Sequence, residues 1–127
     1  MARDGSLKPL MDLMVRRRWL PALVWGAVIL TVSSFPRMDL APRLFPGCDK
    51  ILHFIEYSIL GLGLRYWSGS GKPLFVAGGL AFAALDEFHQ KYVPGRHASL
   101  MDWVADLSGV VVGFLIYGII SRKGSDG

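Results

Sequence analysis

Four long apolar segments, separated by short polar stretches, organise the chain. They cover residues 19–35, 50–67, 73–90 and 102–120. A helix rises about 1.5 Å per residue, so segments of this length can cross a hydrocarbon layer about 30 Å thick. The pattern predicts an all-α, polytopic membrane protein built as a bundle of four transmembrane helices. A soluble helical bundle is the alternative. It is disfavoured because Leu20–Val32 and Leu107–Ile120 contain no charged residue.

This pattern divides the chain into a lead, one membrane domain and a tail. The lead covers residues 1–18, the domain 19–120 and the tail 121–127. In the lead, Leu10, Leu13 and Met14 are expected to touch the membrane surface. The tail is small and polar from Lys123 onward, and we expect it to fray.

The positions of the basic residues predict the orientation in the membrane. Nine of the 14 lie on the side of both termini: Arg3, Lys8, Arg16, Arg17, Arg18, Arg65, Lys72, Arg122 and Lys123. The other five lie on the opposite side: Arg37, Arg43, Lys50, Lys91 and Arg96. Because cytoplasmic loops carry an excess of Lys and Arg, both termini are predicted to be cytoplasmic. The only cysteine, Cys48, then falls in the first outer loop and has no partner for an internal disulfide.

Ionisable residues gather where three of the predicted helices meet the outer side of the membrane. A charged side chain facing lipid costs at least about 2.5 kcal/mol, so such residues usually face one another or a wet cavity. We therefore predict a shared pocket, open to the exterior and walled by the second, third and fourth spans. Its candidate ligand-binding residues are Asp49, Lys50, His53, Glu56, Glu87, Gln90, Arg96, Asp102 and Asp106.

Simpler explanations exist for several polar and aromatic positions. Asp49 and Asp102 fit helix caps, and Arg96 fits a side chain that reaches for the headgroups. Three aromatic residues are expected at the membrane–water interface: Tyr57, Tyr92 and Trp103. Two histidines are expected to be exposed: His89 and His97. The Gly109-x-x-x-Gly113 spacing predicts close helix packing.

The stretches DKILHFIEY and DEFHQKYVPGRHASLMDWVADLSG resemble the VanZ-like family of small bacterial membrane proteins. The matching positions are Asp49, Lys50, His53, Glu87, Gln90, Pro94, Gly95, Arg96, Asp102, Asp106 and Gly109. The stretch Ser33-Ser34-x-Pro36 also looks like the end of the family's first helix. The resemblance covers about residues 19–120, and some members carry Asn at the position of Asp106. It implies four membrane helices in the bacterial plasma membrane and a role at the cell envelope. The family is named for a member that raises resistance to the glycopeptide antibiotic teicoplanin.

The first functional hypothesis is a non-enzymatic envelope protein, surrounded by membrane lipids, whose outer pocket binds a polar ligand. That ligand is a lipid-linked cell-wall precursor or a glycopeptide. Arg96 and Lys50 would meet an anionic group, and the carboxylates and Gln90 would meet amines or hydroxyls. The absence of a basic stripe with interleaved aromatics disfavours nucleic acid as a partner.

Two other classes of function stay open. One is a membrane hydrolase or transferase acting on a lipid-linked or glycopeptide substrate, with His53, Glu87 and Arg96 as the catalytic candidates. His53 would be its general base or acid, oriented by Glu56 or Glu87, and Arg96 would stabilise a developing anion. The other is a small transporter coupled to protons or ions. No metal is expected because no tight ligand spacing such as H-E-x-x-H occurs, and no cofactor is expected.

Overall fold

The computed structural model describes residues 7–36, 47–96 and 99–126. These residues form five helices and no strand: α1 (Lys8–Arg16), α2 (Trp19–Ser34), α3 (Cys48–Ser68), α4 (Pro73–Gln90) and α5 (Leu100–Ser125). The predicted all-α class is confirmed. The charge prediction for Arg3, Arg37 and Arg43 and the predicted exposure of His97 concern residues that lie outside the described ranges.

One helix of the described part of the chain is long and apolar enough to cross a membrane, judged by length and composition. It is α5, and α2 is apolar but shorter. Helices α3 and α4 have 21 and 18 residues, but each carries charged residues, such as Asp49 and Lys50 in α3 and Asp86 and Glu87 in α4. The structure therefore supports one membrane-spanning helix by these criteria, where the apolar pattern predicts four.

The helix boundaries follow the apolar segments, with two differences. Helix α4 has the predicted bounds and begins at Pro73, whose fixed φ suits the first helical turn. Helix α5 extends past the predicted end, and Arg122 and Lys123 lie in its last turn, where cations complement the helix dipole. The predicted tail therefore belongs to α5 up to Ser125. Cys48 is the first residue of α3 and not part of a loop.

The lead contains a helix that the sequence reading did not predict. Helix α1 has no buried residue, and Leu10, Met11 and Met14 are each more than half exposed. Its apolar residues lie on one side, so α1 is amphipathic. Such a helix gains stability only when its apolar side meets another apolar surface.

Helix α3 lies at the centre of the bundle and packs most extensively against α5. Glycines make this close approach possible. A Cβ atom on Gly109 would lie 2.5 Å from the carbonyl oxygen of Phe54, and one on Gly113 would overlap the carbonyl oxygen of Ser58. The close packing predicted from the Gly109-x-x-x-Gly113 spacing is confirmed.

Polar residues are buried in this bundle while large apolar residues lie on its surface. The buried polar residues are Ser33, Arg65, Asp86, Glu87, Gln90, Asp102 and Asp106. By contrast, Leu74, Leu85 and Ile120 are each more than 60% exposed. Soluble proteins seldom bury acidic residues and seldom expose large contiguous apolar surfaces. The outer surface of the bundle therefore suits apolar surroundings.

Candidate functional site

The buried acidic residues gather at one end of the bundle, where α3 begins, α4 ends and α5 begins. We call this the polar end, and the opposite end, which holds α1, the basic end. Lys50 Nζ lies 2.6 Å from Asp102 Oδ1 and 2.9 Å from Asp49 Oδ2. Asp102 is buried, whereas Lys50 and Asp49 are about one-third exposed. Lys50 therefore links α3 to α5 at the rim of the polar end.

A histidine–carboxylate pair lies one helical turn deeper. His53 Nδ1 is 2.8 Å from Asp106 Oδ1, and the two residues follow Lys50 and Asp102 by three and four positions. Both steps advance about one turn along their helices, so the two pairs are stacked between α3 and α5. Asp106 is fully buried, and the His53 side chain keeps 15% exposure. The carboxylate fixes the ring, and among the described residues His53 Nε2 has no hydrogen-bond partner.

Asp86 forms a second buried centre that connects three helices. Its Oδ1 accepts a hydrogen bond of 2.6 Å from Ser33 Oγ of α2. Its Oδ2 accepts one of 2.6 Å from the Tyr57 hydroxyl of α3 and one of 3.3 Å from Gln90 Nε2 of α4. Tyr57 is 0% exposed, so its predicted position at the membrane interface is wrong. Its hydroxyl needs a buried acceptor, and Asp86 supplies it.

Asp86, Tyr57 and Ser33 were missed as site residues by the sequence reading. A signal for Asp86 was present, because Asp86 and Gln90 are four positions apart and share one face of α4. The resemblance of Ser33-Ser34-x-Pro36 to the end of the family's first helix draws attention to Ser33, but it does not reveal the hydrogen-bond partner, which lies 53 positions away on another helix.

Glu87 holds the start of α5 in place. Its Oε1 accepts a hydrogen bond of 2.6 Å from the backbone N–H of Ser99, the residue that precedes α5. Its Oε2 is buried without a hydrogen-bond partner among the described residues, and so is Trp103 Nε1. Both residues line a cavity of about 380 Å³ between α4 and α5.

Arg96 and Glu56 occupy the side of the polar end next to α2. Arg96 donates from Nε to the carbonyl of Phe35 at 3.1 Å and from Nη2 to the carbonyl of Val32 at 3.0 Å. The last carbonyls of a helix lack helical donors, so Arg96 caps α2. Glu56 is half-buried and interacts electrostatically with His53, Asp86 and Arg96.

The predicted site residues therefore gather at one end of the bundle in different roles. Asp49, Lys50 and Asp102 form one ion-paired group, and His53 with Asp106 forms another. Gln90 supports Asp86, which was not predicted. Glu87 and Arg96 bind backbone groups of neighbouring segments. Within the described ranges, no three His, Cys, Asp or Glu side chains are grouped as a metal site requires.

The polar end has unused acceptors in its interior. Asp106 Oδ2, like Glu87 Oε2, is buried and has no hydrogen-bond partner within residues 7–36, 47–96 and 99–126. A buried acceptor without a donor costs about 1–3 kcal/mol, so such atoms favour a bound donor group. The pair of His53 and Asp106 can in addition accept and orient a proton.

The family model described as VanZ/LLP1 matches residues 10–121, a range that includes every residue of the polar end named above. No curated protein and no solved structure matches the chain.

Proposed function

The chain belongs to the VanZ/LLP1 family, and from this premise we propose that it is a four-span protein of the bacterial plasma membrane that binds an envelope ligand. The family and the apolar helix α5 together indicate a membrane protein of the VanZ type. In the proposed arrangement α2 to α5 cross the membrane, the polar end faces the exterior and both termini are cytoplasmic. The ligand is rich in hydrogen-bond donors, such as a lipid-linked cell-wall precursor or a glycopeptide.

The burial of polar residues inside the bundle and the exposure of apolar residues on its surface support the four-span arrangement. Leu23 and Val24 of α2 are about half exposed. Leu74 and Leu85 of α4 and Leu115 of α5 are exposed to a greater fraction. These side chains lie on the outside of a bundle whose interior holds Asp86 and the other carboxylates. In water this arrangement would expose a large apolar surface, whereas in a bilayer the same surface meets lipid.

The proposal of a ligand rich in hydrogen-bond donors rests on the hydrogen-bond acceptors that have no partner. Glu87 Oε2, Asp106 Oδ2 and His53 Nε2 all lack partners within the described part of the chain. Carboxylates also outnumber cations here, and Lys50 and Arg96 are already engaged with Asp102 and with backbone carbonyls. Ammonium and hydroxyl groups are the donors that such a set of acceptors recognises.

His53→Gln is expected to weaken ligand binding about tenfold, the effect of losing roughly one hydrogen bond to a charged group. Native mass spectrometry of the detergent-purified chain, titrated with a glycopeptide and separately with a lipid-linked precursor, measures this directly. His89→Gln is the matched control, since His89 is an exposed histidine at the same end. Glycopeptide sensitivity of a host carrying each variant provides the cellular readout. The proposal would be wrong if both His53→Gln and Glu87→Gln, present at wild-type abundance, bound the ligand and protected the host from the glycopeptide as the wild type does. The polar end would then have only a structural role.

The proposed orientation makes Cys48 accessible from outside. A membrane-impermeant maleimide is expected to label Cys48 in intact spheroplasts, because this half-buried thiol begins α3 at the polar end. The control is Ser125→Cys in a Cys48→Ser background. Ser125 is exposed at the opposite end of the bundle and should be labelled only after lysis. The reverse labelling pattern would invert the topology and turn the polar end toward the cytoplasm.

The pairing of His53 with Asp106 favours one second candidate, a membrane hydrolase or transferase. A carboxylate on Nδ1 and an unpaired Nε2 form the arrangement of a general base, with Asp106 as its orienting group. If the wild-type chain converts a lipid-linked substrate, and His53→Gln still binds that substrate but no longer converts it, the protein is an enzyme. Retention of unchanged ligand by the wild-type chain would select the binding protein.

A further inference from the structure

A long apolar groove runs along the bundle between α2, α3 and α4, away from the polar end. Its volume is about 400 Å³. It extends from Ala22 and Trp67 near the basic end to Leu30 and Phe82 near the middle of the bundle. The groove exists because α2 and α4 make few contacts with each other, and glycines such as Gly78 leave its wall without side chains.

Arg18 lies at the basic end of the bundle, just before the groove begins. It precedes Ala22, which lines the groove, by four residues, and this spacing corresponds to about one helical turn along the same face. Its guanidinium carbon lies 5.9 Å from the centre of the Tyr66 ring, a cation–π contact that holds the side chain in place. Arg18 Nε is buried and has no hydrogen-bond partner among the described residues. The Nε–H group of Arg18 is therefore held in place and is free of hydrogen bonds within the described part of the chain.

The basic end carries a strong excess of positive charge. Eight described basic residues lie there: Lys8, Arg16, Arg17, Arg18, Arg65, Lys72, Arg122 and Lys123. Two acidic residues accompany them: Asp12 and Asp126. Arg65 is engaged, since it donates to the carbonyl of Gly69 at 2.7 Å and stacks on Phe114. Arg18 is thus the basic residue that combines a fixed position, an unused buried donor and proximity to the groove.

Helix α1 lies beside this point. The Tyr66 hydroxyl donates to the carbonyl of Met14 at 3.3 Å, so the residue that holds Arg18 also contacts α1. The exposed apolar side of α1 suits the headgroup–acyl boundary of a membrane. That boundary is where the phosphate of a phospholipid lies, and its acyl chains extend from there toward the bilayer centre.

We propose that the groove and Arg18 form a site for one anionic phospholipid of the leaflet at the basic end. An acyl chain lies in the groove and the phosphate accepts hydrogen bonds from Arg18. The charge of this end selects an anionic headgroup, and the apolar walls require a chain attached to it. The inference rests on the proposed membrane topology and is independent of the ligand at the polar end.

The test measures lipid retention by the full-length chain. The protein is purified in detergent, depleted of lipid, and titrated with phosphatidylglycerol or phosphatidylcholine under native mass spectrometry. Wild type is expected to retain one phosphatidylglycerol about tenfold more strongly than phosphatidylcholine, the effect of roughly one charge-assisted contact. Arg18→Gln should abolish this preference. Gly78→Leu should weaken both lipids, since the new side chain enters the groove, and a Cβ at Gly78 meets nothing within 4 Å.

Two substitutions act as matched controls. Arg17→Gln removes the same charge from an exposed neighbour, and Gly124→Leu adds the same side chain where a Cβ also meets nothing within 4 Å. Both should retain lipid as the wild type does. Equal weakening by Arg17→Gln would mean diffuse surface charge, and unchanged retention by Gly78→Leu would mean that no chain occupies the groove. Displacement of the lipid by glycerol 3-phosphate alone would mean a headgroup site without a chain. Each of these three results would overturn the proposal.

The variant His53→Gln separates this inference from the function proposed for the polar end. It should retain phosphatidylglycerol as the wild type does, because His53 lies at the opposite end of α3. Loss of lipid preference in His53→Gln would contradict the assignment to Arg18 and the groove. Normal lipid retention in His53→Gln, together with normal glycopeptide binding in both His53→Gln and Glu87→Gln, would leave the lipid site intact and reject only the function of the polar end.

Discussion

Gly113→Ala is expected to lower the free energy of unfolding by about 1–3 kcal/mol or more, the cost of overpacking a dense interior. The added Cβ would overlap the carbonyl oxygen of Ser58, which belongs to the backbone of α3. A rotating side chain could move aside, but a helix backbone cannot do so without shifting the whole helix. Because α3 packs most extensively against α5, the substitution separates the two helices that hold most of the polar end.

Thermal unfolding of the detergent-purified chain measures this effect, with Gly124→Ala as the control. Gly124 also lies in α5, but a Cβ there meets nothing within 4 Å. Alanine at that position should leave stability unchanged or raise it by up to about 1 kcal/mol through helix propensity. If Gly113→Ala and Gly124→Ala unfolded at the same temperature, α3 and α5 would not be as close as the structure places them.

Asp86→Ala is expected to cost about 2–4 kcal/mol, because it leaves several buried donors without an acceptor. Asp86 is 1% exposed and accepts hydrogen bonds from Ser33, Tyr57 and Gln90. These donors belong to α2, α3 and α4, so the carboxylate connects three helices. Water cannot replace it without entering the core next to Tyr57, which is fully buried.

Tyr57→Phe gives the graded comparison for Asp86→Ala. It removes one of the three donors and keeps the ring, and should cost only about 1 kcal/mol. Unfolding of both variants in the same detergent measures how much larger the loss of stability is in Asp86→Ala than in Tyr57→Phe. If Asp86→Ala melted like the wild type, the carboxylate would not bind these helices together.

The helices could be predicted because each apolar segment ends at residues with strong local preferences. Pro73 starts α4 at the expected position, and Pro36 follows the end of α2. Helix α1 was not predicted because nine residues are too few to cross a membrane and its apolar residues line up only at helical spacing. The end of α5 was misjudged because small polar residues after Lys123 suggest fraying, whereas the structure continues the helix to Ser125.

The grouping of charges at one end could also be predicted, since helical spacing and alternating direction place those residues together. The partners of individual residues could not. The turn with positive φ at Gly95, 78°, fits the Pro94-Gly95 pair, but that pattern does not reveal that Arg96 donates to the last carbonyls of α2. Tyr57 was assigned to the interface by its residue type, whereas its burial depends on how α3 rotates against α4 and α2.

The stacking of α3 against α5 has a consequence for how the protein is made. Lys50 and His53 leave the ribosome early, but their partners Asp102 and Asp106 belong to the last helix of the chain. During synthesis α3 therefore has Asp49 as a counter-charge for Lys50 but lacks Asp102 and Asp106. Tyr57 likewise lacks its acceptor until Asp86 is made in α4. A helix in that condition is poorly suited to the hydrocarbon interior. In the proposed four-span arrangement, stable residence of α3 in the bilayer therefore depends on α5, and a chain cut short before Leu100 would leave α3 only weakly held by the membrane.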